Sequence, residues 1–250
     1  MKNFCEHFLN ALKKIKLAMN QIKMFNDQPP RNDRAKKVIS EFQRIKSIGF
    51  IKSTRPKNKD GGIGNTFEDY LGVKENNLRE PDFIGFEVKT KKALSKAVTS
   101  LFSKSPTYPK KANAYLKDTF GEARDPEFPD LKKLYASMFG NRDSFVYEKY
   151  YMRLSVDRKN ELLRLIVKDI NQTLISDNVY WSFDNLRKAS MKIKDMIYVS
   201  AETKKIDDIY HYHFNSAKIL LDFNFDKFID MIENGSIQFD LRMGVYKSGS

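Results

Sequence analysis

The chain has 250 residues, 41% of them hydrophobic with 19 Phe and 12 Tyr, and a net charge of +13 from 45 Lys and Arg against 32 Asp and Glu. That suits one sizeable domain with an appendage, and the cationic surplus favours a polyanionic partner through counterion release. Cys5 is the only cysteine, which excludes a disulfide framework and a thiolate metal site, and no run approaches the ~18 apolar residues of a membrane span.

The first residues, Met1-Lys-Asn-Phe-Cys-Glu-His-Phe8, carry charges every few positions, unlike a signal peptide, and an intracellular location is expected. Residues 3–25 read as an amphipathic helix, with Phe4, Phe8, Leu12, Ile15, Met19 and Ile22 at steps of three and four. Pro29-Pro30 breaks it. A second helix is expected from Arg34 to Ile48, with Val38, Phe42 and Ile45 on one face and Gly49 as its C-terminal cap. Lys52 to Lys59 forms a basic loop, read either as solvated chain or as a phosphate-contacting arm, and it runs into Gly61-Gly-Ile-Gly64. Asn65 or Thr66 is expected to cap a helix carrying Phe67, Glu68, Tyr70 and Leu71.

Residues 83–89 alternate Phe83, Gly85, Glu87 and Lys89 against Ile84, Phe86 and Val88, the pattern of a strand with one apolar and one functional face. Further strands are expected at Val146–Val156, Leu162–Val167, Val179–Ser182, Met196–Ala201, Ile209–Phe214 and Ile237–Leu241. Helices are expected at Pro109–Phe120, Phe183–Lys192 and Phe225–Asn234, the last stopped by Gly235. Strands and helices mixed without strict alternation indicate an α/β or α+β domain built on a mixed sheet.

One stretch carries chemistry. Pro81-Asp82 is followed by Glu87-Val-Lys89, with Glu68 upstream. Phosphodiester hydrolysis needs a nucleophilic water, charge neutralisation at phosphorus and help for the leaving oxygen, and one or two Mg²⁺ ions can supply all three. Mg²⁺ takes oxygen ligands, so a few carboxylates suffice and water and phosphate fill the remaining positions. Glu87 and Lys89, two apart on a strand, share a face, where the ammonium can orient the attacking water. Asp82 lies five positions before Glu87, an odd offset that separates them on a straight strand. They can share a metal only if the chain turns or bulges between them, which Gly85 permits. Glu68 would serve as a further ligand or as an outer partner. Taken alone, this pattern also fits a strand with a solvated charged face.

Several ordered blocks go beyond it. Gly62-Ile-Gly-x-Thr-Phe-Glu68, Pro81-Asp82-x4-Glu87-x-Lys89-Thr90, Ser100-Leu-Phe-Ser-Lys-Ser-Pro106, Asn178-Val-Tyr-Trp-Ser-Phe-Asp184, Tyr198-Val-Ser-Ala-Glu202 and Asp240-x-Arg242-x-Gly244 resemble the MvaI/BcnI family of type II restriction endonucleases. That family is related to the nicking enzyme MutH within the PD-(D/E)xK nuclease class, and the resemblance spans about residues 35–249. It implies a restriction-endonuclease-like core, a central mixed sheet flanked by helices, with a second DNA-recognition lobe. The expected organisation is an N-terminal helical extension over 1–30, a catalytic lobe over 31–130, and a recognition lobe with the remaining strands over 131–250. It also implies a monomer that grips double-stranded DNA between two lobes, uses Mg²⁺, and works in a bacterial cytoplasm beside a companion DNA methyltransferase. Asp82, Glu87 and Lys89 match the family's catalytic core, with Asp82 and Glu87 as metal ligands, and Glu68 matches its additional acid. Asp240 and Arg242 fall where base-reading side chains sit; Arg pairs with guanine O6/N7 and Asp accepts from cytosine N4.

The chain departs from the family at its end, Tyr246-Lys-Ser-Gly-Ser250, where relatives continue with a His-Asp-His-Gly block and a later arginine used in base recognition. Alternatives within reach are a MutH-like nicking repair endonuclease, a catalytically inactive DNA-binding relative and a basic RNA-binding protein. Lys104, beside Ser105-Pro106, and Lys110 and Lys111, near a helix start, are candidate phosphate contacts. His211-Tyr-His213 has a zinc-compatible spacing but no third ligand nearby, and Tyr180, Trp181 and Phe183 read as core aromatics rather than base-stacking platforms.

Overall fold

The structure, a computed structural model, describes residues 23–24, 33–56, 61–73, 82–95, 98–124 and 126–244. In chain order the elements are β1 (Lys23–Met24), α1 (Asp33–Ser47), β2 (Ile51–Lys52), α2 (Gly62–Leu71), β3 (Glu87–Lys92), α3 (Ala112–Phe120), β4 (Leu134–Met138), β5 (Ser144–Val146), β6 (Tyr150–Asp157), β7 (Leu162–Lys168) and β8 (Leu174–Ser182). There follow α4 (Phe183–Ser190), a 3-10 turn (Met191–Ile193), β9 (Met196–Ile206), β10 (Ile209–Leu220), α5 (Phe225–Glu233) and β11 (Phe239–Met243). They form two units, Met1–Leu101 with Met191–Phe223 and Phe102–Ser190 with Asn224–Ser250, so the chain leaves the first unit after Leu101 and returns to it at Met191.

The first unit is a mixed five-stranded sheet in the order β1-β10-β9-β3, with β2 also pairing β10. β3 runs parallel to β9, Glu87 opposite Met196 and Lys89 opposite Tyr198, while β9 and β10 are antiparallel with a bulge between Phe214 and Ser216. Helix α1 buries Ala35, Val38, Phe42 and Ile45 at steps of three and four, and α2 buries Ile63, Phe67 and Leu71; both stripes enter one core with Val88, Val199, Tyr212 and Phe214. Gly49 adopts φ 80° beyond α1, as its capping role requires.

Two local expectations are corrected. Helix α2 starts at Gly62 without a side-chain cap; Thr66 lies inside it, its hydroxyl donating to the Gly62 carbonyl at 2.6 Å. The glycine at 62 serves packing, because a Cβ there would lie 3.0 Å from the buried Tyr212 hydroxyl and 3.2 Å from Ser53 Oγ. The helix expected over 3–25 lies outside the described residues except at Lys23 and Met24, which pair as strand with Ile219 and Lys218 of β10.

The second unit holds an antiparallel meander β5-β6-β7-β8 and a two-stranded ribbon of β4 with β11. Strand β7 alternates cleanly, burying Leu163, Leu165 and Val167, and Leu165 lies between Leu154 of β6 and Val179 of β8. The strand expected over 146–156 is two strands, because Tyr147 and Glu148 both take φ 54° and turn the chain back. Asn224 caps α5, its side chain accepting from Lys227 N, and Gly235 at φ 77° ends it.

Candidate active site

The run 82–89 is not one strand. Phe83 and Phe86 exchange backbone hydrogen bonds of 3.0 and 2.8 Å around Ile84 at φ 42° and Gly85 at φ 86°, closing a tight turn before β3 begins at Glu87. That turn removes the odd-offset problem. Asp82 folds back over the start of β3, where its Oδ2 accepts from Val88 N at 2.9 Å. Phe86 and Val88 anchor the segment in the core, and Glu87 N donates to the Asp195 carbonyl at 2.9 Å, fixing the entry of β3 against β9.

The two acids meet on one ammonium group. Lys192 Nζ, on the 3-10 turn leading into β9, lies 3.7 Å from Asp82 Oδ1 and 3.1 Å from Glu87 Oε2. Lys89 Nζ donates to the other Glu87 oxygen, Oε1, at 2.6 Å. Glu87 is 1% exposed, whereas the side chains of Asp82, Lys89 and Lys192 keep about a quarter of their surface, at 25%, 23% and 29%. The Glu87 carboxyl is therefore the floor of the site and the other three groups are its solvent-facing rim.

Burial pushes the Glu87 carboxyl above the usual carboxylate range, aided by the Asp82 charge, against the opposing pull of Lys89 and Lys192. Burial works against the charge on Lys192, but its hydrogen bond to Glu87 and the charges of Glu87 and Asp82 prevail and raise its pKa.

The donor set suits a hard divalent cation. Glu87 Oε2 is buried and faces the Lys192 ammonium at 3.1 Å, and Asp82 Oδ1 faces the same ammonium at 3.7 Å, so both carboxylates present an oxygen to one cationic position. Among the described residues no three His, Cys, Asp or Glu side chains gather around one point, so the protein offers two carboxylates there. Glu68 is not gathered with them: a Cβ built on Gly64 would lie 3.9 Å from Glu68 Oε1 and 3.4 Å from Thr90 Oγ1, which places its carboxylate by the α2–β3 packing. Its neighbour Asp69 ties α2 to the segment after β2, accepting from Thr54 Oγ1 at 2.5 Å and pairing with Arg55 at 3.2 Å.

The remaining site residues lie in the second unit. Lys104, Lys110 and Lys111 are exposed; the Lys104 carbonyl accepts from Trp181 Nε1 at 2.9 Å, and Lys111 takes φ 57° at the start of α3. Trp181 is 1% exposed and belongs to the core, as expected of a strand aromatic. Asp240 and Arg242 share the outer face of β11, opposite Ser137 and Tyr135, with 3.7 Å between guanidinium and carboxylate. Gln238 joins them, donating to both Asp240 oxygens at 3.1 and 3.3 Å.

Sequence reasoning missed Lys192 and the support beneath it. Asp195 is 4% exposed; its Oδ2 accepts from Arg34 at 2.9 Å and its Oδ1 from Asp222 N at 3.0 Å. Arg34 also lies over the Phe86 ring and beside Gly85, where any Cβ would collide with its guanidinium. The available signal was Lys192-Ile-Lys194-Asp195 directly before an apolar strand, and it becomes informative only once that strand is known to pair with β3.

A mixed sheet whose edge strand carries Glu-x-Lys, with an Asp turned back beside it, is the arrangement of PD-(D/E)xK nucleases. The chain belongs to the MvaI/BcnI restriction endonuclease family, whose model matches residues 39–250; restriction endonucleases are site-specific deoxyribonucleases. Among solved structures it is similar to the restriction endonuclease MvaI in complex with cognate DNA, with 32% identity over 88% of each chain and a TM-score of 0.77. It is also similar to MvaI in the absence of DNA, with 32% identity over 89% of this chain and 88% of that one and a TM-score of 0.56. No curated protein matches.

Proposed function

We propose that this chain cuts double-stranded DNA at a specific sequence by Mg²⁺-dependent hydrolysis of phosphodiesters. The observation that carries this is the convergence of Asp82 Oδ1 and the buried Glu87 Oε2 on one cationic position beside Lys89. Asp82 and Glu87 would hold the ion. Bound there, Mg²⁺ supplies charge neutralisation at the scissile phosphate and a nucleophilic water at neutral pH. Lys89 orients that water and stabilises the charge that develops on it. Glu68 assists from α2 as an outer partner of those ligands. The first unit is the catalytic one and the second the recognising one.

In the second unit, Lys104, Lys110 and Lys111 contact backbone phosphates, which position the protein without reading sequence. Asp240 and Arg242, held in one orientation by Gln238 and Ser137, read base edges. The enzyme acts as a monomer in a bacterial cytoplasm, with a methyltransferase protecting the host's own sites. Support comes from the MvaI structure with cognate DNA, from the family match and from the +13 charge.

The test is to incubate the protein with a long DNA of known sequence and Mg²⁺ and to map the ends. Discrete fragments sharing one short sequence support the reading. A supercoiled plasmid that stops at the open circle indicates a nicking enzyme instead, and DNA bound yet intact at high enzyme indicates an inactive relative.

A further inference from the structure

Lys192 has no part in the function proposed above, yet its ammonium faces both acids, at 3.7 Å from Asp82 Oδ1 and 3.1 Å from Glu87 Oε2. Among the described residues it alone pairs with both Asp82 and Glu87. Lys89 touches only the far oxygen of Glu87. The strand pairing that sets Glu87 opposite Met196 also sets Lys192, four residues earlier on the 3-10 turn, over the same carboxylate. With two carboxylates and two ammonium groups, the four side chains sum to zero formal charge before any ion enters.

We propose that Lys192 is a resident counter-cation, occupying the metal position between Asp82 and Glu87 and yielding it when a divalent ion binds. The physical reason is the floor of the site. Two carboxylates this close, one of them buried, repel each other and lack water, so an ammonium that bridges them stabilises the metal-free fold. A divalent ion entering the same point meets that ammonium as a like charge, and must displace it to reach Asp82 Oδ1 and Glu87 Oε2. Lys192 therefore lowers metal affinity while preserving the geometry that the metal needs. This rests on the assignment of Asp82 and Glu87 as metal ligands.

The test uses Ca²⁺ as the probe and requires no turnover. Calorimetric titration of Ca²⁺ into the DNA-free full chain is compared for the parent, Lys192→Met, Lys192→Gln and Glu87→Gln, with melting temperatures recorded with and without the ion. Removing a like charge a few ångströms from the ion is expected to tighten Ca²⁺ binding about tenfold or more in both Lys192 variants. Their melting temperatures without metal are expected to fall below the parent's and to regain ground when Ca²⁺ is added. Two lysine replacements of different polarity guard against a folding artefact in either one. If Glu87→Gln abolishes binding while the Lys192 variants bind no more tightly than the parent, the counter-cation proposal is overturned and the metal assignment stands. If Glu87→Gln binds Ca²⁺ as the parent does, both are overturned.

Discussion

At the scale of single residues, the site turns on one buried carboxyl. Glu87 has a raised pKa, chiefly through burial, so its ionised form is penalised in the folded state relative to the unfolded chain. The sign follows from proton linkage: a raised folded pKa gives stability that is complete below the unfolded value and is lost as pH rises through the folded one. In metal-free buffer the melting temperature of the parent, measured against Glu87→Gln, is expected to decline as pH rises above the ordinary value of 4.5, in the window up to the raised pKa. A constant difference between the two proteins across that window would contradict this electrostatic account. Divalent ions should reverse the penalty, since a cation at Glu87 Oε2 favours the ionised form.

At the scale of elements, the site depends on how β3 is started and held. Asp195 ties Arg34 on α1, the Asp222 amide and, through its carbonyl, the Glu87 amide into one knot. Asp195→Ala leaves those side-chain partners unsatisfied and is expected to cost about 1–3 kcal/mol in chemical denaturation, with cleavage falling because the 82–86 turn loosens. Phe67 is fully buried on α2 with its ring 4.9 Å from Phe214, so Phe67→Ala is expected to cost about 3–5 kcal/mol.

Much of this level was legible in the sequence. The stripes of α1 and α5 and the alternation of β7 follow directly from side-chain period. What was not legible has physical causes. The alternation over 83–89 concealed a turn, because a β-branched Ile84 at φ 42° runs against local preference and is imposed by the packing of Phe83, Phe86 and Arg34. Strand β4 was missed because Leu134-Tyr-Ala-Ser-Met138 is short and poor in β-branched residues, and only its pairing with β11 makes it a strand. The acids and Lys89 could be named from spacing, but Lys192 lies 105 positions after Glu87 and joins them only through a parallel pairing that no local pattern encodes.

For the whole molecule, a net charge of +13 makes any DNA complex electrostatic in large part. Affinity for a noncleavable duplex in Ca²⁺ is expected to fall by about tenfold or more between 50 and 200 mM salt, as neutralised phosphates release counterions. Replacing Lys110 and Lys111 together should flatten that dependence without changing which sequence is preferred, whereas Arg242→Ala should relax the preference itself. No described helix is long and apolar enough to cross a membrane.

The most direct measurement is plasmid cleavage in Mg²⁺ by Lys89→Ala beside the parent, with DNA binding measured in parallel. The ammonium on Glu87 Oε1 is assigned to orienting the nucleophile and not to holding DNA. The variant should bind the duplex as the parent does and cut at least about a hundredfold more slowly. Equal cutting by the two proteins in Mg²⁺ would contradict the catalytic assignment of Asp82, Glu87 and Lys89.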